Sequence, residues 1–313
     1  MSAGSRPVLL LIAPLLSADI AAALPSSIRV VVHGQDAYAP GEIDYALAFR
    51  PPPGLLASLP KLSVVFSLGA GIDGFLADPS YPRHVPLVRF VDKTLAEEMA
   101  QYAVLHTLMF HRNQRTLDAA QANGEWLRVM LDRATRDTRI GILGLGEIGR
   151  ACAAALLPLG FPVSGWSRTP KTIGGVKSFA GAAALDAFLA QSDILICVLP
   201  LTHDTRHLLN AKTFAKLPKG AYVINAARGG HLVERDLITA IDVGHLAGAA
   251  LDVFEIEPLP ESSPLWRHPK IVVTPHVAAI SDRAAVARMA ADGIARHRRG
   301  EPLENIVDLE RGY

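Results

Sequence analysis

Arg139-Ile140-Gly141-Ile142-Leu143-Gly144-Leu145-Gly146-Glu147-Ile148-Gly149 is the stretch that decides how this chain folds. Residues 139–143 read as a strand, Gly144-x-Gly146-x-x-Gly149 follows at once, and residues 150–157 carry a helical pattern. Each glycine has a task in such a strand–turn–helix unit: a tight turn, close approach of backbone to a pyrophosphate, and close helix–strand packing. The amides of Gly146, Glu147 and Ile148 would then point at phosphates with the helix dipole behind them. A lone glycine pattern is weak evidence. Set between a strand and a helix at these offsets, it predicts a dinucleotide site.

Working outward, short apolar runs alternate with helical patterns, the signature of βαβ units and a parallel sheet. Strands are expected over residues 8–12, 29–32, 45–49, 63–67 and 87–90, then over 139–143, 163–166, 194–199, 222–225, 248–253 and 271–274. Pro and Gly punctuate the gaps, as at Pro51-Pro52-Pro53-Gly54 and Pro158-Leu159-Gly160. Long helices are expected near 95–112 and 283–299. At 313 residues the chain exceeds the usual size of one globular domain. The layout predicts an α/β protein of two lobes. A doubly wound Rossmann lobe, residues 101–279, is inserted into a smaller flavodoxin-like α/β lobe built from residues 1–100 and 280–313. The two connecting helices would be hinges, and the cleft between lobes the active site.

Half the residues are hydrophobic and 19% are charged, which suits a soluble protein with a sizeable core. A formal net charge of +1 provides no global field toward nucleic acid or membranes. Arg296-His297-Arg298-Arg299 reads as the solvated end of a C-terminal helix, where cations are favoured. Cys152 and Cys197 lie in helical and apolar stretches without metal-type spacing, so both read as buried thiols of a cytoplasmic protein. Residues 8–16 after Arg6 mimic a signal peptide, but a first buried strand stopped by Pro14 is preferred, and no run is long enough to span a bilayer.

The second cofactor-discriminating position lies about twenty residues beyond the glycine turn, at the end of the next strand. There the chain has Ser167-Arg168-Thr169 in place of the Asp or Glu that would bind a ribose 2′-hydroxyl. A carboxylate would repel a 2′-phosphate, whereas Ser, Arg and Thr can hydrogen-bond it, with Lys171 adding charge. NADP(H) is therefore expected over NAD(H). The alternative is that Arg168 stacks on adenine or faces water.

Three segments at candidate strand ends carry reactive groups: Asn225-Ala226-Ala227-Arg228-Gly229, residues 251–259, and Thr274-Pro275-His276. Loops at the carboxyl ends of parallel strands meet at the cofactor edge, so these can converge. Carbonyl reduction needs a hydride, a proton for the nascent alkoxide, and a cation for the substrate carboxylate. Arg228 can hold the carboxylate and polarise the carbonyl through its planar fork. His276 can give the proton, and a carboxylate at Glu257 would favour the imidazolium and fix the ring.

With these residues in view, the chain resembles the D-isomer-specific 2-hydroxyacid dehydrogenases, and most of all their glyoxylate/hydroxypyruvate reductase A branch. The match covers nearly the whole chain. It includes Leu68-Gly69-Ala70-Gly71-Ile72-Asp73, Trp166-Ser167-Arg168, Leu199-Pro200-Leu201-Thr202, Pro264-Leu265-Trp266-Arg267-His268-Pro269, the three segments above and the terminal Arg311-Gly312-Tyr313. The resemblance implies Arg228, Glu257 and His276 as the catalytic three, and carboxylate binding by the backbone amides of Ala70 and Gly71. It also implies cofactor contacts from Leu199, Pro200, Thr205, Ala226 and Asp252, and a homodimer in which residues 114–136 reach across. The substrates implied are small 2-keto and 2-hydroxy acids.

Arg50 departs from the branch, which often has a neutral residue there; it can add a cation for a larger or more acidic substrate, or face solvent. The absence of a C-terminal regulatory domain argues against the longer phosphoglycerate dehydrogenases. His203 and His207 stand at i, i+4, but with no third ligand evident they read as surface residues and no metal is expected. His106 and His111 read as structural, and Asp73 as ordering the carboxylate loop. The competing function is a dinucleotide-sensing binding protein on the same fold; a pure sensor has no need of Arg228, Glu257 and His276 together.

Overall fold

The computed structural model describes residues 6–13, 16–131 and 133–310. Pro14, expected to stop the first strand, and the terminal Arg311-Gly312-Tyr313 lie outside the described residues, as does Asp132 of the expected dimer arm. The chain divides into two compact units, Met1–Thr94 with Ser281–Tyr313, and Leu95–Ile280. The sequence reading places the first crossing at 100/101. The structure moves it to 94/95, because Met99 and Ala100 of the helix Lys93–His111 bury themselves in the core of the second unit.

The first unit carries strands β1 (Val8–Ile12), β2 (Arg29–Val32), β3 (Tyr45–Ala48), β4 (Val64–Ser67) and β5 (Leu87–Val88). All pair in parallel in the order β2-β1-β3-β4-β5, a flavodoxin-like arrangement. All five residues of β1 are buried, which is why this stretch reads as a near-continuous apolar run. Helix Ser17–Ala23 packs on helix Arg283–Arg299, with Arg283 and Asp19 paired at 2.9 Å. The two ends of the chain therefore build one unit.

The second unit carries β6 (Ile140–Leu143), β7 (Val163–Ser167), β8 (Val176–Ala180), β9 (Ile194–Cys197), β10 (Ala221–Asn225), β11 (Leu246–Leu251) and β12 (Ile271–Val273). These too are all parallel, in the order β12-β11-β10-β9-β6-β7-β8. The winding runs outward from β6 to β8, then restarts at β9 on the other side. That makes the carboxyl ends of β6 and β9 the switch point where open α/β sheets bind ligands.

Strands β5, β8, β9 and β11 differ from expectation by two residues or more, β5 ending at Val88 instead of residue 90. β8 was not anticipated, since Val-Lys-Ser-Phe-Ala is a half-exposed edge strand that packs on the core only through Val176 and through Phe179, whose ring lies 5.9 Å from that of Phe188. β11 starts two residues early because Leu246 pairs with Ala221 across a register shift. β9 ends at Cys197, two residues before the expected end.

Apolar clusters cover both faces of this sheet. Cys152 and Cys197 are free and fully buried, and burial pushes both thiols up to about 12. Among the described residues no helix is long and apolar enough to cross a membrane.

One buried charge ties the amino-terminal edge together. Asp193, just before β9, accepts Arg139 Nε and Nη2 at 2.8 Å each and the Arg139 amide at 2.9 Å, and pairs with Arg133. Burial alone would raise this carboxyl, but the Arg139 and Arg133 hydrogen bonds outweigh it and hold Asp193 below the ordinary carboxylate range. A depressed folded value means stabilisation that is complete above the ordinary range and lost as pH falls through the folded value. Asp193→Asn is expected to cost on the order of 2 kcal/mol at neutral pH. Chemical denaturation at stepped pH should show the gap from wild type shrinking in acid; a gap independent of pH would contradict it.

Candidate active site

The glycine turn opens directly from β6. Gly144 sits at φ +105, a left-handed conformation, and a Cβ built there would lie 3.0 Å from the Val198 carbonyl oxygen. A Cβ on Gly149 would fall 1.8 Å from the Gly144 carbonyl oxygen, so helix and strand meet backbone to backbone. Gly146, by contrast, has nothing within 4 Å of a built Cβ. It is the N-cap of the helix Glu147–Leu156 and brings no side-chain cap to the first-turn amides. A turn closed from below and open above, at an uncapped helix start, fits a bound pyrophosphate.

At the end of β7, Ser167 is buried and donates its hydroxyl to the Thr169 carbonyl at 2.8 Å, while Trp166 Nε1 donates to the Gly181 carbonyl at 2.9 Å. These bonds shape the turn that carries Arg168, Thr169 and Lys171, all exposed. After β9, Leu199 is buried and Pro200 exposed. Thr205 folds back to give its hydroxyl to the Pro200 carbonyl at 2.7 Å.

The arginine loop follows β10 and is wrapped by Asn225. This fully buried side chain accepts the Ala227 amide at 3.2 Å and donates to the Arg228 carbonyl at 3.1 Å. Arg228 is half-buried, with Nη1 donating to the Ala227 carbonyl at 2.7 Å. A Cβ on Gly229 would lie 1.8 Å from the Phe254 carbonyl carbon, so the arginine loop rests on the backbone after β11.

That second loop holds Glu257. One carboxylate oxygen accepts the Phe254 amide at 3.0 Å and the other faces His276 Nδ1 at 2.8 Å. The carboxylate only accepts, so Nδ1 carries a proton and Nε2 is left to exchange one with a ligand. His276 itself lies at φ +57, a strained position for a residue with a Cβ. Asp252, also fully buried, accepts the Val277 and Ala278 amides at 2.9 Å each, and its carbonyl accepts the His276 amide at 2.9 Å.

Two residues escaped the sequence reading as site builders. Asn225 appeared there only as the start of a segment, although a polar residue closing an apolar strand was a readable signal. His231 carried no signal. It is fully buried, with Nδ1 3.1 Å from the Arg228 carbonyl oxygen and Nε2 3.3 Å from that of Pro200. His203 is exposed and His207 sits at φ +54, outside any helix; among the described residues no cluster of His, Cys, Asp or Glu is suited to a metal.

In the first unit, Ser67 ends β4 and its hydroxyl donates to the Gly69 carbonyl at 2.9 Å, bending the chain into Ala70 and Gly71, both half-buried. Arg50, at φ +47 after β3, holds its guanidinium 5.5 Å over the Phe49 ring. A Cβ on Gly74 would lie 3.0 Å from Arg50 Cγ, so this arginine packs beside the start of helix Asp73–Leu76.

Comparison with known proteins bears on this arrangement. The family profile for the D-isomer-specific 2-hydroxyacid dehydrogenase NAD-binding domain matches residues 104–278. A glyoxylate/hydroxypyruvate reductase A of Serratia proteamaculans is 44% identical over 287 residues, covering 88% of this chain and 91% of that protein. An NADPH-dependent glyoxylate/hydroxypyruvate reductase of Sinorhizobium meliloti, solved with NADP and sulfate, superposes with a TM-score of 0.91 at 40% identity, over 99% of this chain and all of that one. A D-isomer-specific 2-hydroxyacid dehydrogenase of Xanthobacter autotrophicus, solved with NADPH and MES, gives 0.90 at 40% identity with the same coverage.

Proposed function

Because the chain belongs to the D-isomer-specific 2-hydroxyacid dehydrogenase family, we propose that it reduces small 2-keto acids such as glyoxylate and hydroxypyruvate to D-2-hydroxy acids with NADPH. The observation that carries this reading is the His276–Glu257 pair at 2.8 Å, in loops that leave the same sheet edge as the glycine turn and Arg228. When bound, NADPH would supply the hydride. Arg228 would hold the substrate carboxylate and polarise the carbonyl, and His276 Nε2 would deliver the proton to the forming alkoxide. Glu257 would fix the ring's orientation and hold the proton on Nδ1.

Gly144, Gly146 and Gly149, with the amides of Glu147 and Ile148, would hold the pyrophosphate. Leu199, Pro200, Thr205, Ala226 and Asp252 would line the rest of the cofactor site. The test is a wild-type assay at 340 nm with NADPH against a panel of 2-keto acids, with chiral analysis of the product. An inert protein, or L-products, would overturn the proposal.

Arg168, Thr169 and Lys171 would bind the 2′-phosphate. The exposed guanidinium beyond the buried Ser167 supports this, as do the neighbours solved with NADP and NADPH. Arg168→Ala is expected to weaken NADPH binding roughly 10–100-fold and NADH binding little. Titration of both cofactors checks it; an unchanged ratio of the two dissociation constants would count against the assignment.

We also propose a homodimer through residues 114–136. Beyond helix Gln114–Ala122 the chain exposes Trp126 at 91% and Met130 at 83%, with Leu127 and Leu131 beside them. So large an apolar display suits a partner surface. Light scattering should give twice 33.4 kDa for the wild type, and the monomer mass for Trp126→Glu with Met130→Glu. A wild-type monomer would contradict it.

A further inference from the structure

Behind the reactive histidine runs a chain of hydroxyls with no direct part in hydride or proton transfer. Asp252, which follows β11, is 1% exposed, and its Oδ1 accepts the Thr274 hydroxyl at 2.6 Å. Together with the Val277 and Ala278 amides, these donors bracket His276 from both sides. The left-handed backbone at His276 is thus imposed by its neighbours, as a strained position must be.

Thr274 has one hydroxyl proton and gives it to Asp252. The 2.9 Å contact between its oxygen and the Tyr102 hydroxyl therefore has one direction, with Tyr102 as donor. Tyr102 comes from the helix Lys93–His111, is buried, and lies against the His106 ring at 4.1 Å. Burial, and to a lesser degree the Asp252 charge, raise its phenol well above the ordinary range. It stays a donor at any working pH.

We propose that Tyr102 is a positioning residue for the reaction: through Thr274 it orients Asp252, whose carboxylate holds the turn presenting His276 to Glu257. The kinetic side of this inference rests on the reductase reading; the hydrogen-bond chain does not. Hydrogen bonds in such a chain polarise one another, so the phenol can act at a distance of two bonds.

The test is a double-mutant cycle. Tyr102→Phe and Thr274→Val each remove a hydroxyl and keep the shape, while Thr274→Ser restores it. Tyr102→Phe should lower kcat roughly tenfold and Thr274→Val on the order of 10–100-fold, the scale of a misplaced reacting group. The NADPH dissociation constant should move by less than about twofold, since a positioning fault differs from lost uniform binding. Thr274→Ser should recover most of the loss. Combined with Thr274→Val, Tyr102→Phe should add nothing further, because the phenol acts only through that hydroxyl.

Independent, multiplying effects would overturn the proposal, as would an unchanged kcat in a folded Tyr102→Phe, which decides the matter even if Thr274→Val fails to fold. If the wild type proves inert, the reductase reading falls and melting of the cofactor-free variants still decides the chain. Non-additive shifts in melting temperature support it and additive shifts refute it.

Discussion

Replacing His276 by alanine is expected to lower kcat about 10²–10⁴-fold, the usual worth of a positioned general acid, while NADPH still binds. The expectation follows from the division of labour on one ring. Nδ1 is committed to Glu257 at 2.8 Å, and Glu257 is itself anchored by the Phe254 amide at 3.0 Å. Neither partner is free to take another role, so Nε2 alone can serve the substrate oxygen. Glu257→Gln keeps the shape but removes the carboxylate that only accepts and so fixes the proton on Nδ1. It should lower kcat by less than His276→Ala, without further loss when the two are combined. Single-turnover measurements at 340 nm would separate this chemical step from product release. A His276→Ala enzyme within tenfold of wild type would remove the histidine from the mechanism.

Arg228→Lys should reduce kcat/KM for the keto acid about 10²–10³-fold even though the positive charge is kept. Lysine is a point charge on a flexible stem, whereas the planar guanidinium can meet carboxylate and carbonyl at once. The structure places this side chain by three separate devices. Asn225 ties the loop at both Ala227 and Arg228, Nη1 binds the Ala227 carbonyl, and Gly229 lets the loop lie on the Phe254 backbone. Gly229→Ala should therefore act in the same direction as Arg228→Lys, because its Cβ would fall 1.8 Å from the Phe254 carbonyl carbon. Steady-state kinetics on both variants, with NADPH titration as the control, tests the point. Loss of cofactor affinity equal to the loss of kcat/KM would mean that the loop holds NADPH instead of the keto acid.

Much of this protein was legible before any coordinates. The glycine spacing at Gly144, Gly146 and Gly149 is a local signal, set by steric demands a few residues apart, and the turn obeys it atom by atom. Alternating apolar runs and helical patterns likewise report local burial, so all but one strand of the two sheets could be placed. The missed strand, β8, lies at an edge where half-exposed residues carry a weak pattern. Fully buried polar residues were harder to read. Nothing in Gly229-Gly230-His231 says that the histidine will sit between two carbonyl groups, one of them thirty-one residues away in sequence. Nothing near Tyr102 says that its hydroxyl will meet one 172 residues away.

The sequence by itself determined the parallel α/β plan and the dinucleotide turn, and it named the candidate reactive side chains, because each follows from residue type at short range. Only the tertiary structure decided which nitrogen of His276 faces Glu257, which backbone groups bind Asp252, and how Asn225 wraps Arg228. The first two sets join the loops after β11 and β12, 19 to 26 residues apart in sequence, and the third folds a single loop on itself. Their geometry is set by sheet register and loop packing, which short-range sequence pattern does not encode.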